Sequence, residues 1–447
     1  MKSFSRSIVF LAVLQFLVTL SARSQVKSWQ MASCLADTSE HYAIYFPRDF
    51  DTSRTFGMLI FLDPSARGDA PVQLYHELAD EYHLVLAGSM RSRNFSGDVS
   101  LQSFVAIYND LLQRINPDTS AVFLSGFSGG ARVAASIAAL YPEVTGVIAC
   151  GAGFTGTDEA SIRKIRRYAA TVGYRDMNYE ELVENTSLLD ELGMKNMLVY
   201  FDGVHEWAPL GSMELAIQWL MESKTNPVIQ TGNRDTNYIR RLNQLEDSGR
   251  LCLAWQAWNQ LKQIRSYREQ AMAAINKLEG LPGFKKDREE YESSLKSERT
   301  VMNAFSIAYQ PVLAGMNNND ETVWRELSAE IKEMRSEKSY YRQLSAMRAL
   351  DHCRRSCGEY FFLFMESKEY ESAIRVATIM QYFVPDEPAV QVWMARAYAG
   401  LGNKKQTIHF LKLAAKAGYT QQVKLLNDEL LLKVISADEI RQVFEQR

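Results

Sequence analysis

The pentapeptide Gly126-Phe127-Ser128-Gly129-Gly130 is the part of this sequence best suited to chemistry. It follows an apolar run at residues 121–124 and leads into a helical stretch at 129–140, so Ser128 lies on a sharp strand-to-helix turn. The flanking glycines suit a turn in which a Cβ atom would collide with the neighbouring strand or helix. Because the turn lifts the hydroxyl above the edge of the sheet, we predict that Ser128 is a nucleophile.

A serine hydroxyl is a weak nucleophile near neutral pH, so it needs an imidazole base that a carboxylate holds in place. Three histidines follow Ser128, and two of them, His352 and His409, belong to a region with a purely helical pattern. His205 is therefore the predicted base. It lies in a loop that follows the last predicted strand and precedes a helix.

The acid of such a triad precedes the histidine along the chain when the nucleophile occupies this kind of turn. Asp176 comes shortly after the predicted strand at 169–173 and is the predicted acid. Asp202 and Glu206 are the alternatives, because both are close to His205 in sequence.

These motifs resemble the α/β-hydrolases, and among them the compact exported esterases of the polyhydroxybutyrate depolymerase, feruloyl esterase and dienelactone hydrolase groups. Such esterases often carry a Gly-Gly-His-x-Trp-Pro loop. The corresponding segment here is Gly203-Val204-His205-Glu206-Trp207-Ala208-Pro209, which departs at Val204 and by the inserted Ala208. The resemblance covers residues 42–223 and implies ester hydrolysis through an acyl-enzyme, without a metal or organic cofactor.

Acyl transfer also needs hydrogen-bond donors for the oxyanion of the tetrahedral intermediate. The backbone N–H of Gly129, directly after the nucleophile, is the first predicted donor. The second is expected from the loop that follows the strand at 56–62. Most of the esterases that the chain resembles have a His-Gly pair where Asp63-Pro64 stands, and because proline has no N–H, Ser65 is the predicted donor.

Several polar and aromatic residues of nearby loops are predicted to line the mouth of the site and to favour an acidic or polyhydroxylated substrate. Solvated loop cations with no such role are the alternative. The residues are Arg67, Arg91, Arg93, Asn94 and Trp207.

The composition is that of a soluble globular protein with a formal net charge of −3 over 447 residues. With no broad basic surface, we expect no nucleic-acid partner. Lys2 and Arg6 precede an apolar run at 8–20, and small residues follow it, so residues 1–24 are predicted to be a signal peptide. The run is too short to span a membrane. We therefore expect a secreted or periplasmic protein.

Five cysteines remain after the predicted signal peptide, and an odd number leaves at least one free thiol. Cys353 and Cys357 lie four residues apart on a predicted helix, beside His352. Because no further ligands occur at metal spacing, we expect buried structural cysteines rather than a zinc site.

Short strands alternate with helical patterns over the first half of the chain, which predicts an α/β fold with a mostly parallel sheet covered by helices on both faces. The predicted strands are 42–46, 56–62, 84–88, 121–124, 144–150, 169–173 and 196–201, and the predicted helices are 101–116, 129–140, 180–192 and 212–223. We predict a hydrolase domain at 25–225, a linker at 226–235 and an all-helical domain at 236–447.

Within the helical region, two segments are offset by about 34 residues, the tetratricopeptide period. They begin near Ser367 and Gly402, and they predict two degenerate tetratricopeptide-like repeats near 358–418. Such repeats present a concave face, so this region is predicted to shape substrate access or to recruit a protein partner.

The interval at 151–167 is too short for the inserted lid of many lipases. Either the site is open, or the C-terminal helices cover it. The predicted function is ester hydrolysis. A serine peptidase on the same fold, or a repeat-containing scaffold protein with a vestigial hydrolase domain, is the alternative.

Overall fold

The computed structural model describes residues 29–154, 158–222, 234–316 and 321–445. The predicted signal peptide and residues 226–233 of the predicted linker lie outside these ranges.

The first half of the chain forms one sheet whose strands follow the spatial order β1-β2-β4-β3-β5-β6-β7-β8. β1 and β2 pair antiparallel, as do β2 and β4, and the remaining neighbours are parallel. This is the α/β-hydrolase architecture. The strands are β1 (Gln30–Ser33), β2 (His41–Tyr45), β3 (Thr55–Leu62), β4 (Leu84–Ser89), β5 (Asn116–Phe127), β6 (Gly146–Cys150), β7 (Tyr168–Gly173) and β8 (Asn196–Phe201).

The connections between parallel strands contain helices, which cover the two faces of the sheet and leave strands β4, β6, β7 and β8 buried along their whole length. The helices of this half are α1 (Asp69–Tyr82), α2 (Gly97–Arg114), α3 (Gly129–Leu140), α4 (Glu159–Ile162), α5 (Tyr179–Glu191) and α6 (Leu210–Met221).

All seven predicted strands are present, and the mostly parallel sheet is confirmed. The sequence did not reveal β1, because its four residues are half exposed and lack a clear alternation of apolar side chains. β5 begins five residues earlier than predicted. Its first residues, Asn116 and Pro117, pair with β3 ahead of a register shift, although this Asn-Pro-Asp segment has the composition of a turn.

The second half of the described chain is helical, apart from a single 3-10 turn at Arg265–Tyr267. Its helices are α7 (Arg234–Asp247), α8 (Leu251–Leu261), α9 (Arg268–Glu279), α10 (Phe284–Leu313), α11 (Glu321–Ser336), α12 (Tyr340–Glu366), α13 (Tyr370–Phe383), α14 (Pro388–Gly400), α15 (Lys404–Lys416), α16 (Gln422–Leu426), α17 (Glu429–Leu432) and α18 (Ala437–Glu445).

The hydrophobic core of the sheet continues into these helices. Leu253, Trp258, Tyr291 and Leu344 are buried in the same cluster as the strands, whereas the later helices have two separate cores. The boundary near residue 225 therefore separates two kinds of secondary structure but does not divide the core. A cut at this position would expose apolar surface on the half of the chain that forms the sheet.

The two segments with the 34-residue offset occupy equivalent turns. Lys368 and Gly402 lie 34 positions apart, and both have a left-handed backbone, with φ of 61° and 70°. Helices α13 and α15 begin two residues after these positions. The period thus appears in the backbone as well as in the sequence, and the tetratricopeptide-like assignment stays a prediction.

All five cysteines are buried and none forms a disulfide. His352 does not join Cys353 and Cys357 in a metal-binding group, and within the described ranges no three His, Cys, Asp or Glu side chains could hold a metal ion. Burial lowers the pKa of His352 to about 4. Among the helices described, none has the length and apolar character to cross a bilayer.

Candidate active site

Ser128 lies between β5 and α3 in a backbone conformation that L-amino acids rarely adopt, with φ of 53° and ψ of −123°. Two close approaches explain its glycine neighbours. A Cβ atom on Gly126 would lie 2.1 Å from the carbonyl oxygen of Gly130, and one on Gly130 would lie 2.1 Å from the carbonyl oxygen of Leu62. The strained turn therefore requires these glycines, as the sequence predicted.

Three side chains from separate loops meet at the carboxyl edge of the sheet. His205 Nε2 lies 2.9 Å from Ser128 Oγ, and His205 Nδ1 lies 2.9 Å from Asp176 Oδ1. Asp176 is fully buried, and Ser128 and His205 are each 8 % exposed. The three segments follow β5, β7 and β8, so the parallel sheet brings together residues that are 77 positions apart in the chain.

The two alternative acids, Asp202 and Glu206, have exposed side chains. The Asp202 side chain is 74 % exposed and forms an ion pair with Arg175 at 3.2 Å. Glu206 is also exposed. Asp176 is held in place by the N–H of Asn178, which donates to Oδ1 at 2.8 Å, while the Asn178 amide donates to the carbonyl oxygen of Gly151 at 2.7 Å. Asn178 was not anticipated from the sequence.

The histidine loop is anchored to the rest of the domain at Trp207 and Ala208. The indole N–H of Trp207 donates to Asp63 Oδ2 at 3.0 Å, and the Tyr75 hydroxyl donates to the carbonyl oxygen of Ala208 at 2.7 Å. The Trp207 ring also lies against Phe127, with 5.6 Å between centroids. Trp207 thus fixes the loop that carries His205, a contact beyond its predicted place in the lining.

The predicted oxyanion donors have different surroundings. Gly129 is the first residue of α3, where backbone N–H groups have no intrahelical acceptor. The N–H of Ser65, in contrast, donates to Asp63 Oδ1 at 2.8 Å. A third group lies close by, since a Cβ atom on Gly129 would be 1.9 Å from Oδ1 of Asn94. That oxygen is buried without a hydrogen-bond partner among the described residues.

The predicted mouth residues also divide into two groups. Arg91 forms an ion pair with the buried Glu40 at 2.7 Å, and Arg67 lies 3.6 Å from Asp63. Both arginines therefore support loops. Arg93 is exposed, and its backbone pairs with Ser65 in an isolated β-bridge. Arg93 and Asn94 thus remain predicted mouth residues, with Asn94 nearest to the nucleophile.

Helix α12 runs across the catalytic edge of the sheet, although it begins more than 200 residues after Ser128 in the chain. Arg348 donates to the carbonyl oxygen of Tyr174 at 2.8 Å, in the loop that carries Asp176. Three turns later, the Tyr360 ring lies 5.8 Å from Phe95, which follows Asn94. The helix therefore extends from the end of β7 to the loop after β4. The sequence left two arrangements possible, an open site and a site covered by the C-terminal helices, and the structure has the covered one.

A buried ion pair holds α12 in this position. Arg348 is 2 % exposed and Glu298, on α10, is fully buried. Arg348 Nε lies 2.8 Å from Glu298 Oε1, and the guanidinium also lies 4.4 Å from the centre of the Tyr179 ring. Arg348 therefore joins two helices of the C-terminal region to the loops of the hydrolase domain.

Neither a family model nor a curated protein matches this chain. Among solved structures, it is similar to an S-formylglutathione hydrolase from Staphylococcus aureus, with 13% identity, a TM-score of 0.36 and coverage of 43% of this chain and 96% of that chain. It is also similar to an esterase from Pyrobaculum calidifontis (10% identity, TM-score 0.33, 44% of this chain and 82% of that chain). A feruloyl esterase module from Clostridium thermocellum has 9% identity and a TM-score of 0.33, over 42% of this chain and 83% of that chain.

Proposed function

We propose that this protein is a serine hydrolase that cleaves carboxylic esters. The observation that carries the proposal is the pair of 2.9 Å contacts that join Ser128, His205 and Asp176. In this arrangement His205 Nε2 accepts the serine proton while Asp176 orients the imidazole and stabilises its protonated form. The geometry suits attack by Ser128 Oγ on a carbonyl carbon.

The reaction proceeds through an acyl-enzyme. Ser128 Oγ adds to the ester carbonyl, and His205 then transfers the proton to the departing alcohol. A water molecule, deprotonated by His205, releases the acid from Ser128. The oxyanion receives a hydrogen bond from the N–H of Gly129. Asn94 provides the second donor through its side-chain amide, because Pro64 has no N–H and the N–H of Ser65 already donates to Asp63.

The role of Asn94 depends on which end of its amide faces Gly129. The oxygen and nitrogen of an asparagine amide exchange places when the group rotates by half a turn, and hydrogen-bond partners decide which orientation is preferred. Here the oxygen has no partner among the described residues, so this rotation would present Nδ2 to the same space beside Gly129 without breaking a hydrogen bond of that oxygen. The amide can therefore donate to an oxyanion at this position.

We also propose that the protein acts outside the cytoplasm, on the strength of residues 1–24, and that the helices near 358–418 recruit a protein partner. The first proposal predicts that the amino terminus of the mature protein is Gln25.

The function is tested by labelling the full chain with a fluorophosphonate probe, which reacts with an activated serine whatever the substrate. We expect labelling of the wild type, no labelling of Ser128→Ala, and a loss of p-nitrophenyl ester turnover of at least about 10³-fold in that variant. Ser136→Ala is the matched control, since Ser136 is exposed on α3 and its hydroxyl contacts only the backbone of Arg132 among the described residues. Labelling that persists in Ser128→Ala would contradict the proposal.

A further inference from the structure

One face of α12 is directed towards the catalytic edge, and it carries Arg348, His352, Arg355 and Glu359. At about 100° per residue, these four positions lie within about 60° of one another around the helix axis. Arg348 marks the direction of this face, because it contacts the loop that carries Asp176. Glu359 lies three turns further on, about 16 Å along the helix.

The neighbours of Glu359 place it close to the loop that lies against Gly129, the residue after the nucleophile. Tyr360, the next residue, contacts the Phe95 ring, and the residue before Phe95 is Asn94, whose amide lies against Gly129. The electrostatic surroundings agree with this position. Desolvation raises the pKa of Glu359, and the neighbouring groups that lower it are His205, Arg355 and Arg132.

Glu359 differs from the other charged residues around it. Arg355 is paired with Asp351 at 2.7 Å, and Arg132 is paired with Glu181. Glu359 has no hydrogen bond or ion pair to any residue that the structure describes, and its side chain is exposed to solvent although it belongs to the face directed at the hydrolase domain. Glu359 is therefore a carboxylate with no partner among the described residues, on the part of α12 that meets the loop carrying Asn94.

Two aromatic rings meet at the same part of α12. Phe95 has a left-handed backbone conformation, with φ of 61°, and its side chain is 58 % exposed. Its ring is 5.8 Å from that of Tyr360, which is itself supported by Tyr309 at 5.9 Å. A carboxylate beside exposed aromatic faces is the combination that recognises an organic ammonium group, through charge attraction and cation–π contacts.

We propose that Glu359, Phe95 and Tyr360 form a subsite that binds an ammonium group on the ester substrate. This inference rests on the proposed ester hydrolysis at Ser128. The helical region then contributes to specificity, because it provides two of the three residues of the subsite. Proximity of the subsite to Ser128 restricts the cation to a position a few bonds from the ester carbonyl.

The test compares substrates that differ in charge alone. Acetylcholine is paired with its uncharged tert-butyl isostere, in which carbon replaces the quaternary nitrogen, so that the cation is on the alcohol. A p-nitrophenyl ester of a trimethylammonio acid is paired with its own tert-butyl isostere, so that the cation is on the acyl group. With the full-length protein, we expect kcat/KM for the cationic member to be higher by about tenfold in at least one pair.

Glu359→Gln should reduce that ratio severalfold, because the charge is removed while the size of the side chain and the two aromatic rings are kept. Glu366→Gln is the matched control: it removes the same charge from an exposed position of the same helix, about 10 Å further along, and should preserve the ratio. Protection of Ser128 from the fluorophosphonate probe by tetramethylammonium, lost in Glu359→Gln, provides a readout that does not depend on turnover.

A wild-type ratio near one in both pairs, or a ratio that Glu359→Gln leaves unchanged, would overturn the subsite while leaving ester hydrolysis intact. Failure of the proposed function would look different, because Ser128 would not be labelled and neither member of a pair would be hydrolysed.

Discussion

The parallel sheet and helix α12 reach the same candidate active site by different physical routes. Ser128, Asp176 and His205 each follow the end of a parallel strand, so backbone hydrogen bonds between neighbouring strands fix their separation. Helix α12 reaches that edge through tertiary contacts: its apolar side chains pack in two cores, and Arg348 pairs with Glu298 and contacts Tyr174. The reacting groups thus depend on local turns, whereas access to them depends on contacts between distant segments.

We therefore expect the residues at the strand ends to determine the reaction rate and those of α12 to determine substrate preference. A change at a strand end should lower the rate for every substrate, because it alters the groups that move protons or stabilise charge. A change on α12 should alter stability or substrate preference and leave the proton transfers themselves in place. The following experiments test this division, from the largest expected effect to the smallest.

The acid of the triad should show the largest effect in this group. Asp176→Asn should lower kcat by about 10⁴-fold, because an amide favours the wrong tautomer of His205. Asp202→Asn is the matched control, and its exposed side chain predicts activity close to that of the wild type. Steady-state kinetics on one p-nitrophenyl ester measure both variants. A larger loss of kcat in Asp202→Asn than in Asp176→Asn would show that the acid is misassigned.

Arg348→Met should lower the free energy of unfolding by about 3–5 kcal/mol, because it leaves the Glu298 carboxylate buried without its partner. Urea denaturation measures the change. The double variant Arg348→Met with Glu298→Met is the informative companion, since replacement of both charges by apolar side chains should recover most of that loss. If the double variant is less stable than Arg348→Met, the ion pair does not account for the position of α12.

Asn94→Ala should lower kcat by about 10²–10³-fold with little change in KM, as expected for a hydrogen bond formed mainly in the transition state. Asn109→Ala, at an exposed position of α2, is the matched control. Asn94→Asp should be no better than Asn94→Ala, because a carboxylate would repel the oxyanion. If Asn94→Ala retains kcat while the Ser65 loop proves sensitive, the second donor is a backbone group.

The sequence by itself predicted the type of sheet, seven of its eight strands, and the strand ends at which Ser128, Asp176 and His205 lie. These features are encoded locally: glycines around a strained turn, short apolar runs for buried strands, and the order of three residue types along the chain. The sequence also predicted that Pro64, which has no N–H, cannot donate a hydrogen bond to the oxyanion.

Tertiary structure alone decided what surrounds those residues. Nothing near Asn94 in the sequence indicates that its amide lies against Gly129, and nothing near Tyr360 indicates that its ring contacts Phe95, more than 250 residues earlier in the chain. A helical pattern reveals which face of α12 is apolar but not which surface that face will meet, because the partner is chosen by burial and charge pairing across the whole fold. For this reason the sequence could identify Ser128 as the candidate nucleophile, whereas only the tertiary structure shows that α12 covers it.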